Sequence, residues 1–316
     1  MSSTTCLPDI VITTEHRRFA EFCDACRRYA YIGLCYGPPG VGKTLSARHY
    51  AHWNLVEAST PYSCASDVAL AALVGSNTLF YTPQVVNSPR QIEENIQGWR
   101  NRLRAIPLEA LRREEEGPLE RARQQDEANK NAFFIQTIHT LYAPPPERPK
   151  KPESEVFQVV TTYAQKREET PDPTTLLMID ETDRLKTAGL EQVRDIFDQG
   201  GIGVVLIGMP GLEKRLSRYP QLYSRVGFVH EFRPLRADGV RDLFQHQWMP
   251  TGVDLPRAGL HDTDVLSAII RITGGNFRLL HRLMTQVARL VEINALSRVT
   301  REVVEAAREN LVIGVG

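Results

Sequence analysis

A glycine-rich octapeptide near the amino terminus constrains the fold of this chain more than any other feature. Its residues are Gly37, Pro38, Pro39, Gly40, Val41, Gly42, Lys43 and Thr44, which match the pattern Gly-x-x-x-x-Gly-Lys-Thr. In this pattern the backbone N–H groups of the loop wrap the phosphates of a nucleotide. An apolar run over 31–36 precedes the loop, and a helix-forming run over 45–51 follows it. This strand–loop–helix context predicts a nucleotide-binding loop inside an α/β fold.

A second informative stretch lies at 174–183, where a continuous apolar run ends in Asp180 and Glu181. Continuous apolarity indicates a strand that is buried on both faces of a parallel sheet. An aspartate at the carboxyl end of such a strand can hold Mg²⁺ directly or through water, and an adjacent glutamate can deprotonate an attacking water. In isolation the pair would be better explained as a helix cap or a solvated turn. The loop upstream favours the magnesium and general-base interpretation.

The order of apolar runs predicts an α/β fold with a five-stranded parallel sheet. The expected strands lie near 31–36, 78–82, 174–180, 203–208 and 227–232. Beyond Pro234 amphipathic helices replace the strands. We therefore expect an α/β domain over 1–233 and a small helical domain over 234–316. A charged and proline-rich segment at about 100–173 is expected to be an insertion.

Smaller patterns refine this outline. Ser88 and Pro89 predict the start of a helix that continues through Trp99. Cys23 and Cys26 have the spacing of metal ligands, but no second pair completes a tetrahedral set, so we expect two neighbouring positions on an amphipathic helix.

Composition excludes few functions. Thirty-eight basic and thirty-eight acidic residues cancel, so net charge identifies neither a nucleic acid nor a membrane as a partner. The chain has no export signal, no apolar run long enough to span a bilayer, and an odd number of cysteines. These features predict a cytoplasmic protein with free thiols and no membrane partner. Local basic positions that could contact DNA are Arg90, Arg100, Arg102 and Arg104, although most such charges simply lie on a solvated helix face.

Taken in order, the two motifs, the strand ending at Gly208, the Ser-Arg pair before the last strand and the helical Gly-Asn-Phe-Arg string resemble an AAA+ P-loop ATPase. The resemblance covers nearly the whole chain. Within that superfamily, the strings 179–185, 203–208 and 223–226 are similar to the transposition regulators Mu transposition protein B, IstB and TnsC.

The resemblance implies ATP and Mg²⁺ as cofactors and a role for each matched residue. Lys43 would contact the terminal phosphates, Thr44 and Asp180 would hold Mg²⁺, and Glu181 would activate water. The implied activity is Mg²⁺-dependent ATP hydrolysis, stimulated by DNA or by a partner.

Three further positions follow from the same resemblance. Arg225 would be an arginine finger that reaches the nucleotide of a neighbouring subunit, with Arg218 as the alternative. Arg278 would be the sensor arginine of the helical lid. The chain departs from the family at Met209 and Pro210, where a polar sensor residue is usual, so it has no polar side chain at the position that would orient water.

The leading functional expectation is an ATP-dependent, DNA-binding regulator of transposition. It would assemble on duplex DNA as a hexameric or heptameric ring or as a filament, and would recruit a transposase. A target-selection protein or a guide-RNA complex could choose the site. One alternative is an AAA+ ATPase that loads or remodels another protein machine, either replication initiator-like or secretion-associated. The other is a nucleotide switch that hydrolyses very slowly, an alternative that the Met209 departure leaves open.

Overall fold

The computed structural model describes residues 11–59, 73–107, 170–246, 248–250, 252–309 and 311. These residues fall into two compact units, one drawn from 1–54, 78–96 and 175–316 and the other from 55–77 and 97–174. The sheet, the glycine-rich loop and the carboxyl-terminal helices all belong to the first unit. The predicted domain boundary after residue 233 therefore stays a prediction, and most of the predicted insertion lies outside the described residues.

The core of the first unit is a five-stranded, all-parallel sheet in the order β2-β3-β4-β1-β5. Its strands are β1 (Ile32–Tyr36), β2 (Thr78–Tyr81), β3 (Leu176–Ile179), β4 (Gly203–Gly208) and β5 (Val226–Glu231). The strands β2, β3 and β4 are buried at every position, as their continuous apolar sequences require. The edge strand β5 alternates between half-buried and exposed residues. The predicted α/β fold with five parallel strands is confirmed.

Eleven helices are seen in the described part of the chain, apart from a 3₁₀ turn at Thr182–Arg184. Their bounds are α1 (Thr14–Tyr29), α2 (Lys43–Tyr50), α3 (Trp53–Ala58), α4 (89–107), α5 (Thr187–Asp198), α6 (Leu212–Leu216), α7 (Pro220–Tyr223), α8 (Ala237–Gln245), α9 (Thr263–Thr273), α10 (Phe277–Ile293) and α11 (Arg301–Glu309).

Helix α4 begins where the sequence predicts and extends further than predicted. Ser88 Oγ accepts a 3.2 Å hydrogen bond from the backbone N–H of Gln91, which caps the helix. The helix continues past Trp99 to residue 107, because Leu103 and Ile106 are buried and extend its apolar face.

Helix α1 packs closely against the sheet. A Cβ atom at Gly33 of β1 would lie 2.3 Å from Cys26 Sγ, so only glycine permits this approach. Cys23 and Cys26 are free, fully buried thiols on the inner face of the helix, where the amphipathic pattern predicts them.

The carboxyl-terminal helices have an apolar core of their own. Buried side chains of α8, α9, α10 and α11 form it, including Val240, Ile269, Leu283 and Val304. Helix α10 begins beside the glycine-rich loop, where the Arg278 N–H donates to the Gly40 carbonyl at 3.1 Å.

Candidate functional site

The glycine-rich loop joins β1 to α2 and takes a conformation that needs its glycines. Gly40 and Gly42 have φ values of 82° and 107°, in the left-handed region that other residues rarely adopt. A Cβ atom at Gly37 would lie 2.1 Å from the carbonyl oxygen of Phe232. The loop therefore turns tightly enough to present its backbone N–H groups to a ligand.

Lys43 is the first residue of α2 and is buried. Its Nζ donates to the carbonyl oxygens of Gly37 at 2.6 Å and Pro38 at 2.8 Å. Burial lowers the pKa of Lys43, with the charge of Arg278 acting in the same direction and Cys35, Asp180 and Asp183 opposing it. Its ammonium group is thus held inside the loop by carbonyl dipoles that an anionic phosphate could replace.

Thr44 and Asp180 bring the two sequence motifs together. Thr44 Oγ1 donates a 2.7 Å hydrogen bond to Asp180 Oδ2, and Asp180 is 3% exposed. Asp180 follows the last residue of β3, which places its carboxylate at the carboxyl edge of the sheet. One hydroxyl and one carboxylate fit Mg²⁺, which usually takes one or two carboxylates together with waters and phosphate oxygens.

Glu181 lies next to this pair but makes a different contact. Its backbone is left-handed, with φ 49° and ψ 43°, and its N–H donates to Asp180 Oδ1 at 2.9 Å. The half-exposed Glu181 carboxylate forms an ion pair with Arg184. The predicted general base is thus beside the site, with one oxygen already paired.

Asn276 connects the start of α10 to the glycine-rich loop. Its side-chain oxygen accepts from the N–H groups of Arg278 and Leu279, and its Nδ2 donates to the Pro39 carbonyl at 2.8 Å. Arg278 is exposed beside the loop, and its role toward a nucleotide stays a prediction.

A cavity of about 800 Å³ joins these groups. Its lining includes Lys43, Thr44, Asp180, Glu181 and Arg278 from the prediction. It also includes residues that the prediction missed, namely Asp183, Arg184, Phe277, His281 and Arg282. The spacing of Arg278, His281 and Arg282 at i, i+3 and i+4 on one helix is the signal that could have identified the last two.

The predicted arginine finger, Arg225, lies away from this cavity. Arg225 is absent from the cavity lining and forms a two-pronged contact with Asp198, at 2.6 Å from Nε and 2.8 Å from the second guanidinium nitrogen. It also donates to the Gln221 carbonyl. Arg218, the alternative, does not line the cavity either. A finger that serves a neighbouring subunit need not lie near its own site, so the role of Arg225 stays a prediction.

The candidate DNA contacts divide into two kinds. Arg90 is exposed and pairs with Glu94 at 2.8 Å. Arg100 is largely buried and lies 3.5 Å from Asp172, whereas Arg102 donates to the Glu57 carbonyl at 3.0 Å. All three arginines therefore have partners within the chain, and Arg100 and Arg102 differ from Arg90 in being partly buried.

Met209 follows β4 at the edge of the cavity, with a half-exposed side chain. Its backbone N–H donates to Asp183 Oδ2 at 2.8 Å. The Asp183 carboxylate therefore lies beside Met209, whose own side chain is apolar.

No helix in the described ranges is long and apolar enough to cross a membrane.

A parallel sheet with the glycine-rich loop between β1 and α2 and with Asp180-Glu181 after β3 is the arrangement of a P-loop nucleotide-binding fold. Comparison with known proteins agrees. The family model described as "AAA domain" matches residues 26–216, more than half of the chain. A Staphylococcus aureus protein described as "Potential ATP-binding protein" is 37% identical over 310 residues, which are 97% of this chain and 98% of that protein. The chain belongs to the AAA domain family.

Solved structures share the fold at low identity. Cdc6p from Pyrobaculum aerophilum gives a TM-score of 0.51 at 14% identity, covering 99% of this chain and 71% of that one. The Orc1 protein of Aeropyrum pernix in complex with DNA gives 0.50 at 18%, covering 98% and 68%. A RuvB mutant from Thermotoga maritima gives 0.50 at 14%, covering 95% and 71%. At these identities the likeness is one of fold alone.

Proposed function

We propose that this protein binds and hydrolyses ATP, and that the ATP cycle controls its assembly. The observation that carries the proposal is the 2.7 Å contact between Thr44 Oγ1 and Asp180 Oδ2, beside the buried ammonium group of Lys43. An ammonium group that could bind phosphate thus lies at one edge of the sheet with a hydroxyl and a carboxylate that could hold Mg²⁺. The description of the Staphylococcus aureus relative as a potential ATP-binding protein supports the same function.

Each residue then has a separate task. Lys43 would leave the carbonyl oxygens of Gly37 and Pro38 for the terminal phosphates, and Thr44 and Asp180 would hold Mg²⁺. The metal ion supplies charge neutralisation of the phosphates. Glu181 would accept a proton from the attacking water, and Arg278 would contact the phosphates from α10.

Glu181→Gln tests hydrolysis. The amide cannot accept the proton of water, so we expect steady-state phosphate release to fall by about 100-fold or more, with ATP affinity retained. Glu292→Gln, at an exposed position on α10, is the matched control. Equal rates for wild type and Glu181→Gln would contradict the proposal and favour the slow nucleotide switch.

We further propose that subunits assemble on duplex DNA as a ring or filament and present the DNA to a transposase. The motif strings shared with transposition regulators support this role, and an Orc1 protein of the same fold was solved with DNA. Contacts to the phosphate backbone would make binding tolerant of sequence and sensitive to salt. Electron microscopy with ATP and duplex DNA tests assembly, and free monomers alone would reject it.

The alternative is loading or remodelling of another protein machine, as in replication initiation. The fold likeness to Orc1 and Cdc6p favours it, and it uses the same ATP site. Stimulation of ATP hydrolysis separates the two roles. A DNA-stimulated rate in the purified protein supports assembly on DNA, whereas a rate that responds only to a protein partner supports the alternative.

A mixing experiment tests whether a neighbour completes the site. We expect Glu181→Gln and Arg225→Ala to be inactive separately. When they are mixed, an intact Glu181 can face an intact Arg225 across a subunit boundary, so part of the activity should return. An inactive mixture would contradict the predicted role of Arg225.

A further inference from the structure

Arg184 holds a position between the predicted general base and the loop that follows β2. Its guanidinium pairs with the Glu181 carboxylate, and another of its nitrogens donates to the Pro83 carbonyl at 2.9 Å. Its own backbone carbonyl accepts from Asn87 Nδ2 at 3.2 Å. Arg184 is therefore fastened to the 83–87 loop through both its side chain and its backbone.

The backbone of Glu181 depends on its surroundings. A left-handed conformation is unfavourable for a glutamate, so contacts made by its neighbours must maintain it. The hydrogen bond from its N–H to Asp180 fixes the main chain, and the pair with Arg184 fixes the carboxylate. Both residues line the nucleotide-sized cavity.

We propose that Arg184 is a positioning residue that keeps Glu181 in a resting arrangement until the pair opens. The inference rests on the proposed function, in which Glu181 is the base. A general base needs a carboxylate oxygen within hydrogen-bond reach of the attacking water, and Arg184 occupies Glu181 Oε2. When the pair opens, water donates its proton to Glu181 and its oxygen bonds to the terminal phosphorus, while the bond from that phosphorus to the bridging oxygen breaks and ADP leaves. Arg184 keeps its protons throughout.

An ordinary surface ion pair would not have this effect. The pair of Arg241 with Asp238 lies on α8, with both side chains well exposed. Arg184, by contrast, is anchored at Pro83 and Asn87 as well as to Glu181. The Arg241 pair is therefore a matched control for removal of an arginine that has a carboxylate partner.

The experiment measures kcat and KM for ATP in Arg184→Gln, Arg184→Lys and Arg241→Gln. Glutamine removes the charge that holds the Glu181 carboxylate, whereas lysine keeps it. We expect Arg184→Gln to raise basal kcat by about two- to five-fold with an unchanged KM, which is the factor expected for a half-exposed ion pair. Arg184→Lys should keep the wild-type rate, and so should Arg241→Gln.

A double variant tests whether the effect passes through Glu181. Arg184→Gln in a Glu181→Gln background should have no effect on the residual rate, because the pair is already lost. A wild-type or reduced kcat in Arg184→Gln, at unchanged melting temperature, would overturn the inference. If Arg184→Gln lowers the melting temperature, Arg184→Lys decides the question, because lysine keeps the positive charge. A kcat above the wild-type value in Arg184→Lys would contradict loss of the ion pair as the cause.

Two outcomes distinguish failure of the proposed function from failure of the inference about Arg184. If Glu181→Gln hydrolyses ATP like the wild type, the proposed function fails. If Glu181→Gln is inactive and Arg184→Gln matches the wild type, only the inference fails.

Discussion

Thr44 Oγ1 and Asp180 Oδ2 lie 2.7 Å apart although 136 residues separate them in the chain. The contact exists because β1 and β3 both end at the carboxyl edge of the sheet, with β4 between them. The glycine-rich loop leaves β1 and the acidic pair leaves β3, so the sheet order alone brings the two motifs together.

The first prediction concerns Lys43. Its ammonium group is the buried cation of the loop, so Lys43→Ala should weaken ATP binding by about ten-fold or more. A ligand that binds only the folded state raises the melting temperature, and this rise should be visible with ATP and Mg²⁺ in the wild type and absent in Lys43→Ala. Lys214→Ala, at an exposed position on α6, should respond like the wild type. An undiminished ATP-induced rise in Lys43→Ala would exclude the loop as the binding site.

The second prediction separates two contacts of Asn276. Asn276→Asp keeps the helix cap, because a carboxylate still accepts from the N–H groups of Arg278 and Leu279, but it loses the donor to Pro39. We expect this variant to weaken ATP binding with little loss of stability. Asn276→Ala loses the cap as well, at a cost of about 1 kcal/mol in the free energy of unfolding.

Urea unfolding and nucleotide titration on both Asn276 variants provide the measurements. Equal ATP affinities in Asn276→Asp and the wild type would mean that the Pro39 contact does not shape the loop.

Much of this architecture could be predicted from sequence because it depends on local patterns. Continuous apolar runs marked β3 and β4, and the spacing of the glycines marked the loop between β1 and α2. The start of α4 followed from Ser88 and Pro89, whose preferences act within one helical turn.

The missed features depend on contacts that no local pattern encodes. Asn276 reaches Pro39 across 237 residues, so its role is visible only when the helical region is packed against the loop. The pair of Glu181 with Arg184 depends on a left-handed turn that apolar periodicity does not report. The extension of α4 to residue 107 was missed because its mixed charges concealed the buried Leu103 and Ile106.

The third prediction concerns Arg225 and Asp198. If Arg225 acts on a neighbour's ATP, Arg225→Ala should lower kcat of the assembled protein by about 1,000-fold while ATP binding is retained. Asp198→Ala removes the in-chain partner but leaves the arginine, so hydrolysis should persist. Because the pair is about one-third exposed, each variant should change the free energy of unfolding by at most about 1 kcal/mol.

Phosphate-release assays and denaturant unfolding on both Arg225 and Asp198 variants check this prediction. An equal loss of hydrolysis in the two variants would indicate that the pair has only a structural role.

The last prediction concerns acid stability and His230. Its ring packs among Phe19, Phe22 and Phe232, and its Nε2 is buried without a hydrogen-bond partner in the described part of the chain. Burial lowers the pKa of His230 below its ordinary value of about 6.5. The unfolded chain therefore binds a proton at a higher pH than the folded protein does. As the pH falls below about 6.5, protonation of His230 in the unfolded chain lowers the stability of the folded state, until the pH passes the folded pKa of His230.

His230→Phe fits the aromatic cluster and removes the group that binds this proton. The melting temperature of His230→Phe should therefore fall less than that of the wild type between pH 7.5 and 5.5. His261→Gln, at an exposed position, should follow the wild type. If the melting temperatures of His230→Phe and the wild type fell by the same amount across that pH range, the His230 ring would not contribute to acid sensitivity.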